Sequence, residues 1–222
     1  MYIEIKNISK KYGKKQILSD VNLTTESGKC IGILGGNGCG KSTLFSILAG
    51  VNNKNSGQFL CDGKDLFTEH KIRRQIVGYV PQGTPLFEEL SAYDNLLLWY
   101  EPDMIKQELS NGILGMLGID AFLKTQVSKM SGGMKKRLAI GCAVAHSPKV
   151  LLLDEPSAAL DLICKERISN YLKNFKANGG TIFLATHDAT ELELCDEIYI
   201  MKNGMLSKYD YDGNVHRLVG SL

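Results

Sequence analysis

The feature that most constrains this chain is an apolar run that ends abruptly in glycines. Cys30-Ile31-Gly32-Ile33-Leu34 leads at once into Gly35-Gly36-Asn37-Gly38-Cys39-Gly40-Lys41-Ser42-Thr43. A compact apolar run without polar alternation reads as a strand buried on both faces, as in a parallel sheet flanked by helices. The residues after it keep the spacing G-x-x-x-x-G-K-[ST], and the pattern from Lys41 to about Ala49 predicts a helix with Gly50 as its stop. Strand, glycine loop and helix in that order make a cradle for phosphate. Glycines let successive backbone N–H groups turn inward, and the helix N-terminus adds a favourable dipole. Lys41 is placed to neutralise β/γ-phosphate charge, and the Ser42 hydroxyl to coordinate Mg²⁺. Gly35, Gly36, Asn37, Gly38, Cys39, Gly40, Lys41, Ser42 and Thr43 are therefore the candidate nucleotide-binding residues.

A second signal is Val150-Leu151-Leu152-Leu153-Asp154-Glu155-Pro156, an apolar strand that ends in two carboxylates. Beside a phosphate loop, a strand-end Asp154 can hold the Mg²⁺ shell, and Glu155 is then placed to polarise an attacking water as general base. The third is Met130-Ser131-Gly132-Gly133-Met134-Lys135-Lys136-Arg137-Leu138. Ser131 can cap a helix while Gly132 and Gly133 leave first-turn N–H groups uncovered, which makes a second anion site. Read locally, the same residues are only a flexible helix start. Cys39, next to a lysine and a helix start, has surroundings that favour thiolate; the alternative is a spacer with no chemical duty.

The remaining pattern supplies a frame. Tyr2, Ile3, Ile5 and Ile8, then Ile17, Val21 and Leu23, alternate with polar residues near Gly13, Asn22 and Gly28 and predict short, half-buried antiparallel strands. Apolar runs at 150–153, 181–185 and 198–201 repeat the buried-strand type, separated by helical patterns such as 160–175, so a mostly parallel sheet is expected. Residues 86–145 differ. Segments 91–100, 104–117 and 133–145 read as helices with no convincing strand among them, which predicts a helical subdomain inserted into a single α/β domain spanning 1–222. Within it, Leu90 and Leu97 are expected to fill the insert's own core, and Phe87 and Tyr93 to be partly exposed.

Composition narrows the function classes. Lys and Arg number 26 against 24 Asp and Glu, a formal charge of +2. The basic residues are scattered, so a nucleic-acid partner is not expected. No apolar run approaches the ~18 residues needed to cross a bilayer, and the first ten residues lack a signal-peptide core. A protein neither secreted nor membrane-spanning is expected. Six cysteines with no C-x-x-C pair favour reduced thiols over a zinc ribbon.

The order of the three signals resembles the nucleotide-binding subunit of ATP-binding cassette (ABC) transporters, from Tyr2 to about Lys208. In that family a Ser-Gly-Gly signature follows the phosphate loop and shortly precedes the strand ending in Asp-Glu, as "MSGGMKKRL" and "LLLDEPSAALD" do here. The resemblance implies a P-loop NTPase core with an N-terminal antiparallel β subdomain, and hydrolysis of ATP with Mg²⁺. It implies further roles position by position. Tyr12 in "KKYGKKQIL" matches the aromatic that stacks on adenine. Gln82 in "GYVPQGTPLF" matches the glutamine that reaches Mg²⁺ and the attacking water and begins the segment sensing the membrane partner. Asp161 matches a loop aspartate of the dimer interface, with helix N-capping as the local alternative. His187 in "LATHD" matches the histidine that contacts γ-phosphate. Gly36, Met130 and Met134 stand where proline, leucine and glutamine are frequent, and none of these departures removes a phosphate or Mg²⁺ ligand.

What the resemblance implies about partners is a homodimer or a pairing with a similar subunit, bound to transmembrane permease subunits on the cytoplasmic face of the membrane. The Met134-Lys135-Lys136-Arg137 run is similar to signatures of ABC-2-type exporters, and no appended regulatory domain is expected. The rival reading is a soluble ABC ATPase acting on ribosomes or DNA. Its members usually carry two cassettes or long coiled coils, which this chain lacks.

Overall fold

The computed structural model describes residues 1–158, 160–186 and 188–221. The elements run β1 (Tyr2–Tyr12), β2 (Lys15–Glu26), β3 (Cys30–Leu34), α1 (Lys41–Ala49), β4 (Ser56–Cys61), β5 (Lys64–Asp65), α2 (His70–Ile76) and β6 (Val77–Val80). Then come α3 (Ala92–Leu97), α4 (Pro102–Asn111), α5 (Ile113–Met116), α6 (Gly132–Ala143), β7 (Val150–Asp154) and α7 (Leu162–Ala177). The last are β8 (Thr181–Ala185), α8 (Ala189–Leu192), β9 (Glu197–Lys202), β10 (Met205–Tyr209) and α9 (Val215–Ser221). They form two sheets. One is antiparallel, in the order β2-β1-β4-β5. The other is β10-β9-β3-β8-β7-β6, parallel except where β10 returns along β9.

The buried runs of the sequence become the centre of the parallel sheet. β3, β7 and β8 are buried at every position. Their side chains alternate between two cores: Val150, Leu152, Phe183 and Ala185 face one, and Leu151, Leu153, Ile182 and Leu184 the other. The first core is closed by α1 and the antiparallel sheet, through Leu44, Phe45, Ile47, Leu48, Ile3, Ile5 and Phe59. The second is closed by α7 and the helices between β6 and β7. Helix α1 ends where expected, at Gly50 with φ 79, whose N–H bonds the Ile47 and Ser46 carbonyls.

Several expectations change. The N-terminal strands are long, at 11 and 12 residues, rather than short. Register shifts after Ile5 and Ile8, with Asn7 at φ 51, interrupt the period-two pattern without ending the strand. The helical pattern 104–117 is broken at Gly112 into α4 and α5. The segment 50–86, where the sequence reading places no element, forms β4, β5, α2 and β6. Helix α2 fully buries none of its residues and so shows no apolar stripe. β6 is an edge strand of four residues, in which a Cβ on Gly78 would stand 2.7 Å from the Ala143 carbonyl oxygen. Residues 86–145 hold helices and, among the described residues, a single isolated bridge between Ser91 and Gln126. Leu97 is exposed rather than core, Phe87 is exposed, and Leu90 and Tyr93 are half-buried.

Phe45 is fully buried under the parallel sheet and anchors the helix that carries the phosphate loop. Phe45→Ala should lower stability by about 3–5 kcal/mol. Chemical denaturation followed by circular dichroism reads this, and a loss below about 1 kcal/mol would show that α1 is held by other contacts.

Candidate active site

Register alone brings the candidate residues to one edge of the parallel sheet. Ile33 and Asp154 are both level with Ala185, and Val80 is level with Leu153. The loop after Leu34, the pair Asp154-Glu155, the Pro81-Gln82 segment and the chain after Ala185 therefore leave the sheet together. Such a carboxyl-end crevice is where open α/β sheets bind ligands.

The loop is held tightly from below. Gly35 has φ +156, and a Cβ there would lie 2.2 Å from the Met201 carbonyl oxygen and 2.7 Å from Cys39 Sγ. Gly40 has φ +117, and a Cβ there would lie 2.8 Å from Leu18 Cδ2. The loop thus sits directly on β2 and β9, where side chains at these positions have no room. Lys41 is 6% exposed, and its ammonium donates to the Gly35 carbonyl at 2.6 Å and the Gly36 carbonyl at 3.4 Å. Cys39 Sγ is 3.8 Å from that ammonium and packs inward.

Asp154, 2% exposed, carries an unmet demand, because its Oδ2 has no hydrogen-bond partner. Burial pushes its carboxyl above the ordinary range. The Ser42 hydroxyl opposes that rise, Glu155 adds to it, and Lys41 and Lys136 pull downward. A buried carboxylate oxygen without a donor, beside a serine hydroxyl and a phosphate cradle, fits a hard divalent cation. Ser42 and Asp154 would hold Mg²⁺, with Gln82 at its margin.

Glu155 follows in a left-handed conformation, φ 50, uncommon for a residue of this type. Its N–H bonds the Ala185 carbonyl at 2.9 Å, and Oε2 accepts from Gln82 Nε2 at 2.9 Å. Gln82 and Glu155 are thus neighbours across the ends of β6 and β7. His187 lies outside the described residues. Beside its position, Thr186 donates to the buried Glu191 carboxylate and accepts from Asp188 N–H at 2.9 Å. Glu155, Ser157, Thr186, Asp188 and Glu191 line a cavity of about 220 Å³.

Other candidates stand elsewhere. Tyr12 is at the end of the β1–β2 hairpin, 49% exposed, with the Lys10 ammonium 4.7 Å above its ring. Ser131 caps α6 by accepting from Met134 N–H at 3.2 Å. Ser131 and Gly132 are exposed, while a Cβ on the buried Gly133 would lie 2.6 Å from Cys164 Sγ. Asp161 caps α7, accepting from Cys164 N–H at 2.8 Å.

One residue at the site escaped the sequence reading. Lys136 was counted in a scattered basic run, yet it is 5% exposed and lies near Asp154 and Glu155. Desolvation lowers its pKa, and the surrounding carboxylates oppose that shift. The available signal was its helical spacing, three residues after Gly133 and four before Ile140, both buried on α6.

Residues 18–158 match the family described as ABC transporter. A probable sulfate/thiosulfate import ATP-binding protein of Chlorella vulgaris is 37% identical over 93% of this chain and 89% of its own length. A lantibiotic transport ATP-binding protein of Streptococcus pyogenes is 34% identical over 96% of this chain and 92% of its own. Among solved structures, an ATP-binding cassette in a dimeric post-hydrolysis state with ADP and Pi superposes with a TM-score of 0.80. It is 28% identical, over 94% of this chain and 99% of that one.

Asp154 yields a test that separates stability from function. Its environment on balance disfavours the charge, so Asp154→Asn should stabilise the nucleotide-free protein by about 1 kcal/mol, a rise in Tm of about 2–4 °C. The same variant should lose the Mg²⁺ dependence of nucleotide binding. A lower Tm in differential scanning calorimetry would show the carboxylate to be compensated already.

Proposed function

Because this chain belongs to the ABC transporter family, as one of its ATP-hydrolysing cassettes, we propose that the sheet-edge site is its catalytic centre and that two cassettes close over each ATP. The observation that carries this is the Gln82–Glu155 hydrogen bond, formed level with the buried Asp154 and beside the loop of Lys41 and Ser42. Each residue then has a chemical task. The backbone of Gly35 to Thr43 and the Lys41 ammonium bind and orient the phosphates. Ser42 and Asp154 would hold Mg²⁺, which when bound would supply charge neutralisation at the phosphate oxygens. Glu155 accepts a proton from the attacking water, while the Gln82 amide fixes the carboxylate that receives it. The water oxygen bonds to the γ-phosphorus as the bond from that phosphorus to the bridging oxygen breaks, giving ADP and phosphate. His187, placed by family likeness alone, contacts the γ-phosphate, and Tyr12 stacks on the adenine.

The second anion site belongs to the partner cassette in this reading. Ser131 and Gly132 are exposed at the start of α6, suited to an ATP bound on another chain, and a related cassette has been solved as a dimer. The partner is a second copy or a similar subunit.

The force is delivered to permease subunits, with the cassette held peripherally at the cytoplasmic face of the membrane. No helix of the described residues is long and apolar enough to cross it alone. A cavity of about 620 Å³ between α2, β6 and the helical insert, lined by Val51, Tyr79, Leu86, Trp99, Cys142 and His146 among others, is the proposed seat of a permease helix. Trp99, which lines it, is 52% exposed, and Phe87, the next residue in the chain after its lining residue Leu86, is 59% exposed. We infer export through an ABC-2-type permease from the Met134-Lys135-Lys136-Arg137 run. Relatives named for import and for lantibiotic transport both occur, and the permease that co-purifies from solubilised membranes decides between them.

Glu155→Gln should retain ATP binding but hydrolyse at least 10²-fold more slowly, since general-base assistance is worth about that much. It should also accumulate as an ATP-bound dimer, read by size exclusion with light scattering. Near-normal phosphate release would remove Glu155 from this role. Phe87→Glu should abolish transport in reconstituted vesicles while the isolated cassette keeps its ATPase activity; equal loss of both would assign Phe87 to folding.

A further inference from the structure

Helix α6 joins two parts of the molecule that the mechanism uses separately. Its first residues follow the Ser131 cap, the proposed contact to an ATP on the partner cassette. Five residues on, or about 7–8 Å along the axis, Lys136 passes inward. Its ammonium donates to the Pro81 and Gln82 carbonyls, each at 3.1 Å. These are the two residues that carry the chain off the end of β6.

That arrangement is costly for a side chain with only a packing role. Taking an ammonium out of water is strongly unfavourable unless hydrogen bonds and opposite charge offset it. An uncharged chain of the same length would fill this part of α6 without that cost. What the charge adds is a fixed tie between the helical insert and the Gln82 backbone. Pro81 has no N–H, and the ammonium holds two successive carbonyls, so it sets the direction in which the Gln82 side chain leaves the strand. That side chain ends on Glu155 Oε2.

We propose that Lys136 is a positioning residue that couples the Ser131 end of α6 to the Gln82–Glu155 pair, so that the placement of the helical insert sets the alignment of the catalytic carboxylate. Lys136 donates to the Pro81 and Gln82 carbonyls, and it acts through Gln82. A shift of α6 as the partner's nucleotide engages Ser131 moves the ammonium and carries the Gln82 carbonyls with it. Nucleotide binding at the phosphate loop, held by Gly35 to Thr43, does not depend on this link. The inference rests on the reading of Gln82 and Glu155 as the reacting pair.

The test is a double-mutant cycle on the full chain. Lys136→Met, which keeps length and removes charge and donors, should lower kcat about tenfold or more, because small misplacements of a catalytic group are that damaging. The KM for Mg·ATP should stay within about threefold. Gln82→Ala should lower kcat as well, and the double variant should lose little beyond the worse single one, because both act through the same contact. If Lys136→Met fails to fold, Lys136→Gln carries the same cycle. A kcat within about threefold of the parent overturns the proposal, and so does a double variant whose losses multiply in full, which marks a separate structural role. Normal turnover by Glu155→Gln would remove the catalytic reading and this inference together. An inactive Glu155→Gln beside an unimpaired Lys136→Met would remove this inference alone.

Discussion

Parallel pairing of β3, β8, β7 and β6 is the constraint from which the site follows. Strands that run the same way in register must end at the same edge, so the segments that follow them emerge side by side. The glycine loop, Gln82, Asp154 and Glu155 come from a stretch of chain spanning more than a hundred residues, yet no long-range contact between them is needed to assemble them. The pairing itself needs burial on both faces, because parallel strands are joined by crossovers that lay helices over the sheet. Here α1 covers one face and α7 the other, and the side chains of β7 and β8 divide between the two cores residue by residue.

Around that edge the fold keeps charge in places where charge is unfavourable. Asp154, Lys41 and Lys136 are each nearly inaccessible to water. The two lysines solve the problem alike, each donating to a pair of successive backbone carbonyls. Asp154 is left with an unpartnered oxygen, and Glu155 sits in a backbone conformation that costs about 1 kcal/mol or more. Unmet demand and local strain at one place are what a binding site for a cation and a phosphate chain requires. The two packed cores on either side of the sheet stabilise the domain enough to tolerate them.

The helical region between β6 and β7 has a different character. Its interior is closed by Leu96, Tyr100, Leu114, Leu138 and Ile140, with the Tyr100 hydroxyl donating to the Gly141 carbonyl at 2.8 Å. Its outer side keeps Phe87, Leu97, Leu98 and Trp99 exposed. A group of large apolar side chains left in water suits a contact surface better than a free one, and Phe87 follows closely in the chain on Gln82, whose side chain bonds Glu155.

By itself the sequence determined the family and the candidate residues of the site. The loop from Gly35 to Ser42, the buried strands around it and the Asp154-Glu155 pair were legible because phosphate binding needs fixed local spacing, and a doubly buried strand needs an unbroken apolar run. The Ser131 and Asp161 caps were legible for the same reason, since a cap and its helix are neighbours in the chain. Tertiary structure decided what depends on residues far apart. Gln82 meets Glu155 only because β6 pairs with β7, and β6, four residues long with a glycine inside it, is too short to announce itself. The long N-terminal strands were masked by bulges that break their alternation, and α2 by the lack of any buried residue. Lys136 is the clearest case. A lysine in a basic run reads as solvated, and only the packing of α6 against the end of β6 turns its charge inward, because burial belongs to the surroundings of a side chain and not to the side chain itself.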